Sequence, residues 1–226
     1  MKKYLVLLFV WFSHLAIAQF DIEKNIGDFH EIKVYDLIEV TLIKSDENKI
    51  RIKGQNAQDI VLVSKGGVLK IRMQLEKKFQ GENTLVEVLY KDLEVVDGNE
   101  GALITFNELM SQTALTLKVQ EGAQIRAGVA VDYLETKAVT GGIVTINGTA
   151  KVHEVQMNTG AILEAKKLKT QITNIKVTAG GDASIYASKR ADVQVRAGGD
   201  VEVYGNPEEF MKKQFAGGRI IRRSEY

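Results

Sequence analysis

Two aspartates carry the first hint of chemistry. Asp182 and Asp200 close two copies of the phrase AGGD, at residues 179–182 and 197–200, and lie 18 residues apart. Each copy leads into a short alternating run that ends in a tyrosine, Tyr186 and Tyr204. If the copies stack as neighbouring strands, the two carboxylates sit about 5 Å apart and repel unless a cation compensates them. That spacing suits a calcium site, or the paired acids of a carbohydrate-cleaving lyase or hydrolase with Arg196 or Arg219 as the basic partner. A plainer reading is structural. Each aspartate caps its own corner by accepting a backbone N–H, as in an Asx turn, and Arg219 in the next copy pairs with Asp200. The same column continues as Leu103, Gln124, Ile143 and Ile162, which write no acidic groove, so the capping reading is preferred over catalysis.

The tyrosines are the better candidates for recognition. Tyr186 and Tyr204 share one outward column, where aromatic rings can stack on sugars or anchor an interface. Other chemistries find no support. His30 and His153 lie far apart and make a poor metal pair. Ser184 has no histidine placed beside it for a triad. No phosphate-binding loop or dinucleotide fingerprint is present, and no cofactor is expected. The chain has no cysteine, which excludes disulfides, thiolate metal sites and cysteine nucleophiles. The NGT triplet at residues 147–149 reads as a turn.

What positions these residues is a repeat. Pairs of small residues recur at Gly101, Gly122, Gly141, Gly160, Gly180, Gly198 and Gly217, in steps of 21, 19, 19, 20, 18 and 19 residues. Two residues beyond each pair stand Ile104, Ile125, Val144, Leu163, Ala183, Val201 and Ile220, all apolar. Phe106, Ala127, Ile146, Ala165, Ile185 and Val203 form a second apolar column, with polar residues between the two. Upstream of the pairs run Val119, Ala138, Met157, Val177 and Val195, then Leu117, Thr136, Val155, Ile175 and Val193, with Thr136 the exception. Alternation of period two marks strands with one buried face, and the spacing of three and four that a helix needs is missing. A fixed pitch near 19 residues predicts a β-solenoid with two or three short strands per coil and the small pairs at its corners. An antiparallel meander would explain the alternation but not the constant register.

Residues 98–226 are assigned to this solenoid and its C-terminal cap, where PEEFMKKQF is expected to form a short helix or irregular turn. Charges there would keep the last edge from pairing with another molecule. Residues 19–97 also alternate, in HEIKVYD, IEVTLIK, NKIRIKG, VLKIRMQL and LVEVLY. They predict an N-terminal antiparallel β region capping the solenoid, with a hairpin turn at SKGG, residues 64–67. Residues 1–18 read as a signal peptide: Lys2 and Lys3, an apolar run, then AIA before Gln19. Removing that leader takes the basic count from 30 to 28 against 29 acidic residues, a near-neutral chain that gives no footing for nucleic acid. No later stretch is apolar enough to span a bilayer.

These features together resemble a known family. The leader, FHEIKVYDLIEVTLIKSDENKIRIKG, GGVLKIRM and the serial GA/GG repeats closing on GGDVEVYGNP are similar to the exported head-GIN-domain family of bacterial autotransporter-adhesin heads. The resemblance covers essentially the whole chain after the leader. It implies a right-handed parallel β-helix-like fold and a role in adhesion, and it carries over no catalytic residue. The chain is therefore read as an all-β, non-enzymatic, exported binding module of the periplasm, cell surface or extracellular space. Its partner would be a surface glycan or protein, with homo-oligomerisation left open. The alternatives are a carbohydrate-active enzyme using Asp182 and Asp200, and a structural envelope protein.

Overall fold

The computed structural model describes residues 22–224; the leader lies outside the described residues. The apolar columns become ladders of one parallel stack. Strand β10 (Gln124–Ala138) pairs with β9 (Leu103–Val119) on one side and β11 (Ile143–Asn158) on the other, and β11 pairs with β12 (Ala161–Thr178). Beyond β12, each coil is written as two strands: β13 (Gly181–Tyr186) and β14 (Arg190–Arg196), β15 (Asp200–Tyr204) and β16 (Glu209–Phe215), then β17 (Arg219–Arg222). All seven residues from Ile104 to Ile220 meet in one continuous register. The long strands β9 to β12 bend rather than break. Register shifts between Arg126 and Gly128 and between Thr145 and Asn147, and Asp132 falls between paired segments. The NGT triplet, expected as a turn, lies inside β11 at such a bend. Gly148 has φ +110° there, and a Cβ on it would come within 2.0 Å of the Val129 carbonyl oxygen.

The corners explain the small pairs. At each, two successive residues take positive φ, for example Glu121 (55°) and Gly122 (74°), or Thr140 (49°) and Gly141 (72°). Two left-handed residues in a row are the centre of a type I′ turn, closed here by Ala123 N donating to Gln120 O at 3.1 Å and Gly142 N to Val139 O at 2.9 Å. The first glycine of a pair answers to its φ. The second residue answers to space, since it points into the stack: Ala102, Ala123 and Ala161 are fully buried, and a Cβ on Gly142 would lie 2.8 Å from the Val119 backbone. Neighbouring corners are bonded to each other, Gly101 N to Glu121 O and Gly122 N to Thr140 O.

The same corner continues below the visible repeat. Asp36 and Leu37 take φ of 60° and 63°, Ile38 N closes the turn on Tyr35 O, and Leu37 N donates to Glu100 O. No glycine stands there. Instead the buried Asp36 carboxylate accepts N–H groups of Met73 and Phe79. This corner joins β2 (Glu31–Val34) to β3 (Glu39–Lys44), which run parallel to β8 (Val95–Gly98) and β9 above. Below, they run parallel to β6 (Val68–Met73) and β7 (Leu85–Tyr90). The expected antiparallel pairs close the bottom: β1 (Ile22–Asn25) on β4 (Lys49–Lys53), β4 on β7, and β5 (Ile60–Lys65) on β6 through a turn at Gly66 and Gly67. The N-terminal segment is thus part antiparallel flap and part coil.

At the other end the structure corrects an expectation. PEEFMKKQF forms no helix; β16 pairs with β14 along its length. Lys212 and Gln214 fall opposite Val193 and Val195, in the columns that face the core elsewhere. A charge and an amide on the inward side of a last strand stop the stack from extending, which is how natural sheets blunt their edges.

The interior is filled by the columns, with buried polar side chains set among them; two such clusters lie in the upper coils. Thr136, the exception in its column, is buried and bonds through Oγ1 to Nε2 of buried His153 at 2.9 Å. The Thr170 and Thr173 hydroxyls lie 2.8 Å apart and both reach the Tyr186 carbonyl; their two protons serve two of these three contacts at a time, which leaves each buried oxygen with a partner.

The two corner positions separate experimentally. Gly122→Ala meets open space and is expected to cost about 1 kcal/mol from its left-handed φ alone. Gly142→Ala, with an ordinary φ, is expected to cost about 1–3 kcal/mol from overpacking. Urea unfolding of both variants checks this; a neutral Gly122→Ala would mean the corner does not demand glycine.

Candidate functional site

The coils are not all of one length, and the change of length makes the site. Between the ladder pairs Glu164↔Ser184 and Ile172↔Arg190, the β12 side spends seven residues and the following coil spends five. The shorter coil has no segment to lay over residues 167–169. These pair with β11 on one side and, among the described residues, with no strand on the other. The chain closes the gap by Ser188 N donating to Thr170 O and Lys189 N to Gln171 O.

An open groove of about 710 Å³ lies along this corner. Its walls come from successive coils: Asp132, then Thr149 and Lys151, then Lys169 and Gln171, then Tyr186 and Ser188. The volume falls in the range of small-ligand sites. Lys151 Nζ pairs with Asp132 Oδ1 at 2.7 Å across adjacent coils. Lys169 Nζ stands over the Tyr186 ring, 3.9 Å from its centroid, in a close cation–π contact. The ring also lies against the next coil, where a Cβ on Gly205 would come 2.7 Å from Tyr186 Cζ. Lower on the same corner a groove of about 460 Å³ is lined by Asp92, Glu94 and residues 112–116. The corner therefore passes from acidic to basic along the stack.

Tyr186 and Tyr204 are ladder partners, as their shared column requires. Only Tyr186 lines the groove; the Tyr204 hydroxyl donates to Glu202 at 2.8 Å, and Glu202 also pairs with Arg223. The Arg223 guanidinium, helped by the Tyr204 hydroxyl, holds the Glu202 carboxyl below the usual range.

Asp182 and Asp200 are also ladder partners, with Arg219 next in line. Arg219 Nε donates to both carboxylate oxygens of Asp200, at 3.0 and 3.2 Å, and holds that carboxyl below its ordinary range. The expected Asx caps are absent: the corners turn on left-handed Ala179–Gly180 and Ala197–Gly198, and neither carboxylate accepts a backbone N–H among the described residues. A type I′ turn closes through its own backbone and leaves an aspartate after it nothing to cap. Among the described residues no cluster of three or more metal-ligating side chains is found. His30 is exposed on the N-terminal region and His153 lies in the core, so the structure does not bring them together.

Of the groove-lining residues, the sequence columns single out Tyr186 and not Lys151, Lys169, Asp132 or Gln171. Two signals were available: the KKLK run at residues 166–169, and the drop in repeat step from 20 to 18 beside it.

A coil stack with a filled interior leaves only its outside for recognition, and the fold and groove together place the molecule among the β-solenoids. Comparison narrows the class to a family. The family described as "putative auto-transporter adhesin, head GIN domain" matches residues 28–207, and the chain belongs to it. A crystal structure of a putative adhesin from Bacteroides fragilis superposes with a TM-score of 0.80 at 16% identity, covering 89% of this chain and 95% of that one. A putative adhesin from Parabacteroides merdae gives 0.70 at 17% identity, with the same coverage of 89% and 95%. A protein described as a putative lipid binding protein from Parabacteroides distasonis gives 0.67 at 16% identity, again covering 89% and 95%. At such identities the likeness is one of fold. No curated protein matches the chain at a significant level. Among the described residues no helix is long and apolar enough to cross a membrane.

The buried histidine gives a pH signature. Burial pushes His153 down to about 3, whereas in the unfolded chain it titrates near 6.5. Between those values the unfolded state binds more protons, so stability falls as pH is lowered, by up to about 1.4 kcal/mol per unit. Urea midpoints measured from pH 6.5 to pH 5 are expected to drop in the native chain and to flatten in a Thr136→Val/His153→Leu variant. Equal slopes would remove His153 as the cause.

Proposed function

We propose that the chain is an exported, non-enzymatic binding module of adhesin type, with the coil stack as rigid scaffold and the corner groove at Tyr186 as its contact surface. The observation that carries this reading is the groove itself, built where one coil is shortened and lined by polar side chains from four successive coils. Its shallow, open form suits a surface glycan or protein segment. Membership of a family described as an adhesin head supports the reading, and the sequence of residues 1–18, read as a signal peptide ending before Gln19, accords with export.

The enzyme reading loses its support at the stacked acids. A general acid for glycoside cleavage needs a raised pKa, and Arg219 moves Asp200 the other way. Asp182 and Asp200 also lie outside the groove lining.

Labelled mature protein on a glycan array, and on whole cells, tests the proposal. Binding is expected, and Tyr186→Ala with Gln171→Ala is expected to reduce it while the melting curve stays close to that of the native chain. Binding that ignores these changes removes the groove from the account. Polysaccharide cleavage that disappears in Asp182→Asn/Asp200→Asn would replace it with an enzyme.

A further inference from the structure

Charge is unevenly placed on this molecule. The whole chain carries 30 basic and 29 acidic residues, yet the upper corner gathers lysines. Lys151 and Lys169 line the groove, with Asp132 the sole acid among its lining residues. Lys167 sits two residues before Lys169 in β12 and so shares its outward face. Lys189 is exposed beside Ser188 and is tied by its backbone to Gln171. Within the lining two lysines stand against one aspartate, and Lys167 and Lys189 add positive charge beside it, while the lower groove of the same corner carries Asp92 and Glu94.

The Tyr186 ring does not serve as a bare platform for a sugar. Its face carries the Lys169 ammonium at 3.9 Å. A neutral sugar stacking there would have to displace a cation from a ring that attracts it. An anion would not. The ammonium carries three N–H donors and can meet an anionic oxygen while remaining over the ring. The cation–π contact also narrows the rotamer freedom of a long side chain before any ligand arrives, which lowers the entropic cost of using it.

We propose that this groove recognises acidic saccharides, sugars bearing a carboxylate or sulfate, with Lys169 and Lys151 meeting the anionic group and Gln171, Ser188 and Thr149 meeting hydroxyls. The proposal rests on the reading of the groove as the contact surface. Lys151 answers the ligand by exchanging part of its pairing with Asp132, an exposed ion pair of small net worth. An acidic peptide is the less suitable occupant. The strand edge beside the groove spans only residues 167–169, too short to add a strand, and the apolar lining is limited to Ala130, Val131 and Ala150, which form no socket for a side chain.

Calorimetric titration of the mature chain with four probes tests this: polygalacturonate oligomers, heparin-derived oligosaccharides, neutral dextran oligomers and a poly-glutamate peptide. Binding of an acidic saccharide is expected, weakened by added salt. It should fall by about tenfold or more in Lys151→Gln/Lys169→Gln, as loss of charge-assisted hydrogen bonds requires. A control, Lys118→Gln/Lys176→Gln on another leg of the coils, should bind as the native chain does. Dextran binding of equal strength that still depends on Tyr186 would overturn the acidic assignment and leave the groove reading standing. Acidic-saccharide binding unaffected by the groove lysines would overturn both. Poly-glutamate bound as tightly as polygalacturonate would overturn the saccharide assignment, and no binding by any probe would overturn the proposal.

Discussion

The structure depends on one backbone event repeated in place: two consecutive left-handed residues that turn the chain by a type I′ corner and bond to the corner of the next coil. That bond fixes where each coil begins relative to its neighbour. Because side chains alternate with a period of two, a slip of one residue at the corner would throw every apolar column to the outside. The corner therefore sets the register of the whole interior. It tolerates Glu, Thr or Ala at its first position at some conformational cost, and uses glycine at the second in every visible repeat.

From that register the other features follow. Like residues stack into ladders and fill the inside, which leaves the outer surface as the place where this scaffold varies. A surface of stacked strands is flat unless a coil changes length. The coil after β12 does so, spending five residues where its predecessor spends seven, and the missing leg opens the groove beside Tyr186. The ends are handled differently. An antiparallel flap of β1, β4 and β5 covers the N-terminal coil, while Lys212 and Gln214 make the last coil unfit to carry another.

The solenoid was legible in the sequence because glycine marks its corners; Ile104 through Ile220 align by counting alone. The coil of β2 and β3 was hidden for the converse reason. Its corner uses Asp36 and Leu37, held by Asp36 hydrogen bonds to residues that follow much later in the chain, and no local pattern announces such bonds. PEEFMKKQF reads as a short helix or irregular turn, yet pairing with β14 imposes a strand, a tertiary effect that propensity does not contain. At the groove, the column rule singles out Tyr186. Lys151, Lys169 and Gln171 occupy ordinary outward positions that a column count does not single out, and they meet only because a neighbouring coil is short. Thr136 was visible as an exception, and its reason, His153, lies in the next coil, 17 residues on.

The central claim is that a shortened coil turns a corner of this scaffold into the recognition site. Backbone amide shifts recorded by NMR during titration with an acidic oligosaccharide test it most directly. The account predicts perturbations gathered on residues 130–132, 149–151, 167–171 and 186–189, far apart in sequence and adjacent only in the stack. Perturbations centred instead on the Asp182–Asp200–Arg219 ladder, on the lower groove at Asp92 and Glu94, or spread evenly over the outer faces would contradict it.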